Sequence, residues 1–203
     1  MWSGSGVAMV RTVVGGEGDD GSVTAPVHRL PPPVGADEAV QRCRALLRGA
    51  PREEHLVLLP WLTGHAWAEG DPVRDPARWG DHWVRHWGAR GLLHLWSDAA
   101  TDDVVAGLGD EHWRPAETCL RVVARHDVAG AGPGACALAG HPLLRVRSQA
   151  ARALAVAGDV EHASALRALA DDPDPGVRQA AARVWPALAR RLDLGDVERE
   201  GDR

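Results

Sequence analysis

Val146-Arg147-Ser148-Gln149-Ala150-Ala151-Arg152-Ala153-Leu154 is followed 31 residues on by Val177-Arg178-Gln179-Ala180-Ala181-Ala182-Arg183-Val184-Trp185. The same frame fits Val84-Arg85-His86-Trp87-Gly88-Ala89-Arg90-Gly91-Leu92 two periods upstream. Between them, Pro115-Ala116-Glu117-Thr118-Cys119-Leu120-Arg121-Val122-Val123 keeps the arginine and the apolar end. Arg90, Arg121, Arg152 and Arg183 therefore recur at constant spacing. A fixed period between about 20 and 50 residues marks stacked supersecondary units, none of which buries its apolar face alone. The chain is predicted to be all-α, an α-solenoid of stacked antiparallel helix pairs.

In the clearest unit Asp159 caps a first helix over 160–170, Asp171-Asp172-Pro173-Asp174-Pro175 makes the turn, and a second helix runs over 176–192. Asp caps and Pro opens a helix, so both suit that turn. The preceding unit has a first helix weakened by Gly130, Gly132, Pro133 and Gly134. A further unit starts at Thr101, a plausible N-cap, with its second helix beginning near Trp113, and 81–96 is the second helix of an earlier unit. Upstream, Asp37 caps a helix carrying Val40, Cys43, Leu46 and Leu47 at helical spacing, with a partner over 56–62. Residues 36–62 are thus expected to form degenerate capping helices, which repeat arrays need at their ends. Residues 63–80, rich in Gly, Pro and Asp and holding Trp67 and Trp79, read as a long, partly ordered insertion. Residues 1–35 are expected to be disordered and 193–203 to be a frayed acidic tail, leaving 81–192 as the repeat array.

Gly158-Asp159-Val160 through Leu166, Leu169, Asp171-Asp172-Pro173-Asp174-Pro175, Val177-Arg178 and Ala181-Ala182 resembles a HEAT-like repeat of the kind first associated with phycobilisome lyases. The resemblance covers roughly residues 81–192 and weakens at Trp113-Arg114, which sits two residues out of register with Val146-Arg147. It implies an α-solenoid rather than an activity.

If Val84, Pro115, Val146 and Val177 are position one of the second helix, positions one, five, eight, nine and twelve fall on one side and are mostly small or aliphatic. Position seven, the periodic Arg, points roughly opposite. With neighbouring helices about 8 to 10 Å apart, the four arginines form a column about 30 Å long. Positions three, four and eleven add His86, Trp87 and His94, then Glu117, Thr118 and Arg125, then Ser148 and Gln149. The candidate partner-binding residues are therefore His86, Trp87, Arg90, His94, Arg121, Arg125, Arg152 and Arg183. Such a surface suits a protein partner or acidic peptide, a phosphate-bearing ligand or a helix. Against it stands the plain alternative, in which each Arg pairs with a nearby carboxylate in a solvated ladder worth under about 1 kcal/mol per pair.

Charge and composition narrow the classes further. The formal net charge is −5, and from Trp79 to Leu192 arginines and carboxylates are equal in number, which argues against a general nucleic-acid binder. Lys, Ile, Asn, Phe and Tyr are absent, as GC-rich coding in a bacterium would produce. Cys43, Cys119 and Cys136 are too few, and too irregularly spaced, for a disulfide framework or a metal cluster. No stretch reads as a membrane span or a signal peptide, so a cytoplasmic location is expected.

His82 and His86 stand four apart with Asp81 or His94 nearby, but no HExxH pattern accompanies them, and no metal or other cofactor is assigned. Trp79, Trp83 and Trp87 recur at i, i+4 and i+8; whether that cluster is core or binding site is left open, with packing against the insertion favoured. Phosphate loop, nucleophile elbow and catalytic residues are all unrecognised. The functional expectation is a non-enzymatic protein-interaction scaffold. Two alternatives stand beside it. One is a HEAT-like DNA glycosylase-type enzyme, which needs a cleft carboxylate facing clustered Trp, with Trp67 and Asp71 or Trp87 and Asp81 as candidates. The other is a lyase or lyase chaperone, suggested by the repeat kind alone.

Overall fold

A computed structural model of the chain describes residues 32–194. Most of the N-terminal segment expected to be disordered and of the expected frayed acidic tail lies outside the described residues. Every regular element among them is helical. A row of long helices runs through the molecule: α1 (Ala36–Leu47), α3 (Asp81–Leu92), α5 (Trp113–His126), α7 (Leu144–Ala157) and α9 (Pro175–Arg191), each packed on the next. Short helices α2 (Leu59–Thr63), α4 (Thr101–Gly107), α6 (Gly132–Leu138) and α8 (Ala163–Ala168) pack on α3, α5, α7 and α9 respectively and complete the hairpins. The protein is an all-α solenoid.

Local chemistry explains the elements. The Asp174 carboxylate accepts the backbone N–H groups of Gly176 and Val177 at 2.8 and 3.1 Å, with Pro175 at the first helical position. His112 caps α5 through Nδ1, which accepts the Arg114 N–H. Asp127 ends the same helix in the left-handed region, φ 52°. The first helices are short because Gly107 closes α4, Gly132-Pro133-Gly134 opens α6, and α8 lies between two 3-10 turns, Val160–His162 and Leu169–Asp171. The single helix expected over 160–170 is thus three pieces, its start tightened by a reciprocal cap between Asp159 and His162 and its end turned ahead of Pro173. Gly35, not Asp37, occupies the cap of α1; Asp37 sits in the first turn, where its charge still favours the helix dipole.

The second helices bury positions one and five in all four copies and position nine in three. Their buried face is wider than one stripe because each helix in the middle of a row has two neighbours: Ala89, Leu120 and Ala151 at position six are also buried. At the upstream end a side chain at position five of α3 would be impossible. A Cβ on Gly88 would lie 2.5 Å from the Leu47 N and 2.6 Å from the Cys43 carbonyl oxygen, so glycine there is what lets α1 close on α3.

Segment 63–80 contributes to the core. Trp67 and Val73 are buried, and the Trp67 indole N–H donates to Thr63 Oγ1 at 3.0 Å. Buried Arg52 donates to the Val73 and Trp79 carbonyls and to Asp81, fastening the segment to the start of α3. No described helix is long and apolar enough to cross a membrane.

Candidate functional site

Positions zero, three and seven of a helix lie three and four residues apart and share one face. In successive helices they are Trp83, His86 and Arg90; Arg114, Glu117 and Arg121; Arg145, Ser148 and Arg152. Contacts between the helices show that these rows lie side by side. The Arg114 guanidinium sits 4.6 Å from the Trp83 ring and 4.4 Å from the Trp113 ring. Arg145 lies 4.8 Å over the same Trp113 ring, giving an alternating stack of Trp83, Arg114, Trp113 and Arg145. His86 Nδ1 is 2.8 Å from Thr118 Oγ1. The Thr118 hydroxyl donates its single proton to the Arg114 carbonyl at 3.0 Å, so His86 Nδ1 must carry the hydrogen it shares, leaving Nε2 as the lone pair.

Charge on this face is unevenly distributed. The side chains of Arg121, Arg125, Arg152 and Arg183 are exposed, and among the described residues they make no ion pair or hydrogen bond. Arg90 is half-buried, and burial first, the Arg121 charge second, lower its pKa from the ordinary value. Below them lies Glu117, 5% exposed, with Arg145 Nη2 3.9 Å from its carboxylate. Burial raises the Glu117 pKa, opposed by Arg145, Arg121, Arg114 and Arg152 in that order.

An ion-pair ladder does exist in this fold, but position two makes it. Arg85 forks onto Asp110 at 2.6 and 3.0 Å, and Arg147 forks onto Asp172 at 2.7 and 2.9 Å. Arg121, Arg152 and Arg183 at position seven take no part in it.

Of the sequence-derived candidates, Trp87 requires correction. It is 5% exposed, edge-on to Trp67 at 5.2 Å and tilted against Trp79 and Trp83, because segment 63–80 folds over it; it is core. His86, Arg90 and His94 are half-buried, while Arg121, Arg125, Arg152 and Arg183 are exposed. Three contributors were missed: Arg114 and Arg145 at position zero, and Trp113 between them. Their signal was present, since Trp83, Arg114 and Arg145 are themselves 31 residues apart.

The candidates for other chemistry are already occupied. His82 stacks on His112 at 3.8 Å and His86 is turned to Thr118, so the two imidazoles four apart do not converge. Asp71 is held by His65 at 2.8 Å. Asp159, Glu161 and His162 lie close enough to suggest a metal site, yet His162 Nδ1 accepts the Asp159 N–H at 3.0 Å. In the neutral ring that places the hydrogen on Nε2 and leaves no lone pair for an ion. Burial raises the Cys43 thiol to about 12 and pushes Cys119 up further, so neither is a nucleophile at neutral pH.

The same burial predicts acid sensitivity. Desolvation first, then Arg90, Arg114 and Arg121, push His86 down to about 3, and desolvation also lowers His82 and His112. A histidine with a depressed folded pKa contributes stability that is fully present above its unfolded value of 6.5 and is lost as pH falls toward the folded value. Stability should therefore drop from pH 6.5 downward, by up to about 1.4 kcal/mol per pH unit for His86 alone. In His86→Gln the slope should flatten. Melting temperatures from pH 7 to pH 4.5 measure it; equal slopes in both proteins would refute the assignment.

A protein-family profile described as HEAT repeats matches residues 101–185, spanning α4 to the middle of α9, and supports a HEAT-like repeat protein. No curated protein matches the sequence.

Proposed function

We propose that this protein is a non-enzymatic, cytoplasmic interaction scaffold that holds an acidic segment of a protein partner on its second-helix face. What supports this reading is that Arg121, Arg152 and Arg183 recur once per hairpin, are exposed, and have no ion-pair partner among the described residues. Solenoids present extended surfaces of this kind to partners, and guanidinium forks match carboxylate geometry. Binding a labelled glutamate-rich peptide tests it. Arg121→Glu with Arg152→Glu should weaken binding at least about tenfold, or about 1.4 kcal/mol, with helicity and melting temperature nearly unchanged. Raising salt should weaken the wild-type complex, because exposed charges are screened over about 8 Å at physiological ionic strength. Undiminished binding by the double variant would show the column to be incidental.

The glycosylase-type reading is favoured by one observation: Glu117 is a carboxylate on the arginine face one helical turn from Trp113, a better candidate than Asp71 or Asp81. Abasic or alkylated duplex DNA titrated across a salt series tests it, since phosphate contacts give a steep salt slope. A weak, flat response removes it. The phycobilisome-lyase kind of repeat, and with it a lyase or chaperone role, rests on the sequence resemblance alone; no cysteine on the arginine face is available for that chemistry.

A further inference from the structure

Glu117 is out of place on a surface built to attract anions. Its side chain is mostly buried, but the carboxylate oxygens are not among the fully buried atoms that lack a partner; they still reach solvent, and no described residue donates a hydrogen bond to them. Arg145 stands 3.9 Å from the carboxylate, at ion-pair rather than hydrogen-bond distance. A buried carboxylate is ordinarily satisfied by several donors, because desolvating it without them is costly. Arg114 and Arg121 on its own helix and Arg145 and Arg152 on α7 surround it electrostatically, and on the α3 side His86 is engaged with Thr118. An arginine column alone would hold any anion; a carboxylate set among the arginines repels an anion that carries no proton and receives one that does.

We infer that Glu117, with Arg121 and Arg152, forms a subsite for a phosphate monoester on a protein partner, one proton being shared between the phosphate and the Glu117 carboxyl. This rests on the proposed anion-binding reading of the face and narrows its ligand. The phosphoryl oxygens take the guanidinium N–H groups of Arg121 and Arg152, and the P–OH donates to Glu117. Sulfate esters and ionised carboxylates have no such proton near neutral pH. A phosphate monoester has a second pKa of about 6, so at that pH about half of it carries the proton. Among the described residues no other group facing the subsite titrates in this range: the arginines stay charged, and burial pushes the His86 imidazole down to about 3.

Matched phosphotyrosine, sulfotyrosine and glutamate peptides, titrated into the full chain by fluorescence anisotropy, test it. At pH 6.5 the wild type should prefer the phosphopeptide over the sulfopeptide by about tenfold, equivalent to about 1.4 kcal/mol. In Glu117→Gln the sulfopeptide should bind more tightly than it does to wild type, and the preference should fall below about twofold, or about 0.4 kcal/mol. A second measurement needs no variant: the wild type should bind the phosphopeptide more tightly at pH 6 than at pH 8, the reverse of what arginines alone would give for an increasingly charged phosphate. Equal binding of all three peptides, unchanged by Glu117→Gln, overturns the inference while leaving the acidic-partner scaffold standing, provided Arg121→Glu with Arg152→Glu weakens binding at least about tenfold. Failure of every peptide to bind overturns both.

Discussion

Ala151→Asp is expected to release the last hairpin from the array, lowering the melting temperature by about 10 °C or more and removing part of the far-UV helical signal. Ala151 is 0% exposed, and the repeat itself shows which neighbour it faces. Position six is buried in α3, α5 and α7 as Ala89, Leu120 and Ala151, but exposed in α9 as Ala182, beyond which no described helix packs. Position six therefore faces the following helix, and Ala151 lies in the seam between α7 and α9. A carboxylate there has no cation to meet. An uncompensated buried charge costs about 3 to 5 kcal/mol, against a total stability of about 5 to 15 kcal/mol for a whole domain. About 1 kcal/mol shifts the melting temperature of a chain this size by about 2 to 4 °C. Because repeat units hold mainly to their neighbours, the loss should be local first. Ala182→Asp is the internal control: same residue, same helical position, exposed, and expected within about 0.5 kcal/mol of wild type. If both variants melt alike, the facing of the helices is misassigned.

The repeat register was legible because small residues at fixed positions are what close helix packing demands. Gly88, Cys119, Ala150 and Ala181 occupy position five, and all four are buried. What the sequence concealed was tertiary contact across long separations. The i, i+4, i+8 spacing of Trp79, Trp83 and Trp87 favours packing against the insertion, but it does not show that Trp67, twenty residues before Trp87, is the ring that closes on it edge-to-face. Glu117 sits on the face that pattern marks as polar, yet it is 5% exposed, with Arg145 of the next helix 3.9 Å from its carboxylate. The four periodic arginines drew attention to position seven. The structural ion pairs fall instead at position two, where Arg85, Arg147 and Arg178 recur at multiples of the same period, and where the matching acids, Asp110 and Asp172, lie in the turn of the next unit.

Those forks should matter more to stability than any other polar contact in the array. Arg147 donates through Nε and Nη2 to both Asp172 oxygens, and through Nη1 to the His141 and Pro142 carbonyls at 3.0 Å each. Asp172 is 7% exposed and also accepts the Asp174 N–H at 2.9 Å, so one guanidinium ties the turn before α7 to the turn before α9. The arrangement repeats at Arg85 and Asp110, where Asp110 accepts the His112 N–H at 2.8 Å. In the copy between, Ala116 and His141 replace the arginine and the acid together. A buried carboxylate left without its fork is the costly state, so Arg147→Ala is expected to destabilise by about 3 kcal/mol. Asp172→Ala on that background should recover part of the loss, as the Ala116 and His141 copy implies, with a coupling energy of about 0.5 to 3 kcal/mol in the double-mutant cycle. The Arg147 hydrogen bond, first among the causes, holds the Asp172 pKa below its ordinary value of 3.8. Its stabilisation is therefore present above that value and lost as pH falls through the depressed one. Denaturant unfolding of the two single variants and the double variant measures the cycle. Additive losses would mean that the fork carries no stability of its own, and that the twist between successive hairpins is set by the alanine seams alone.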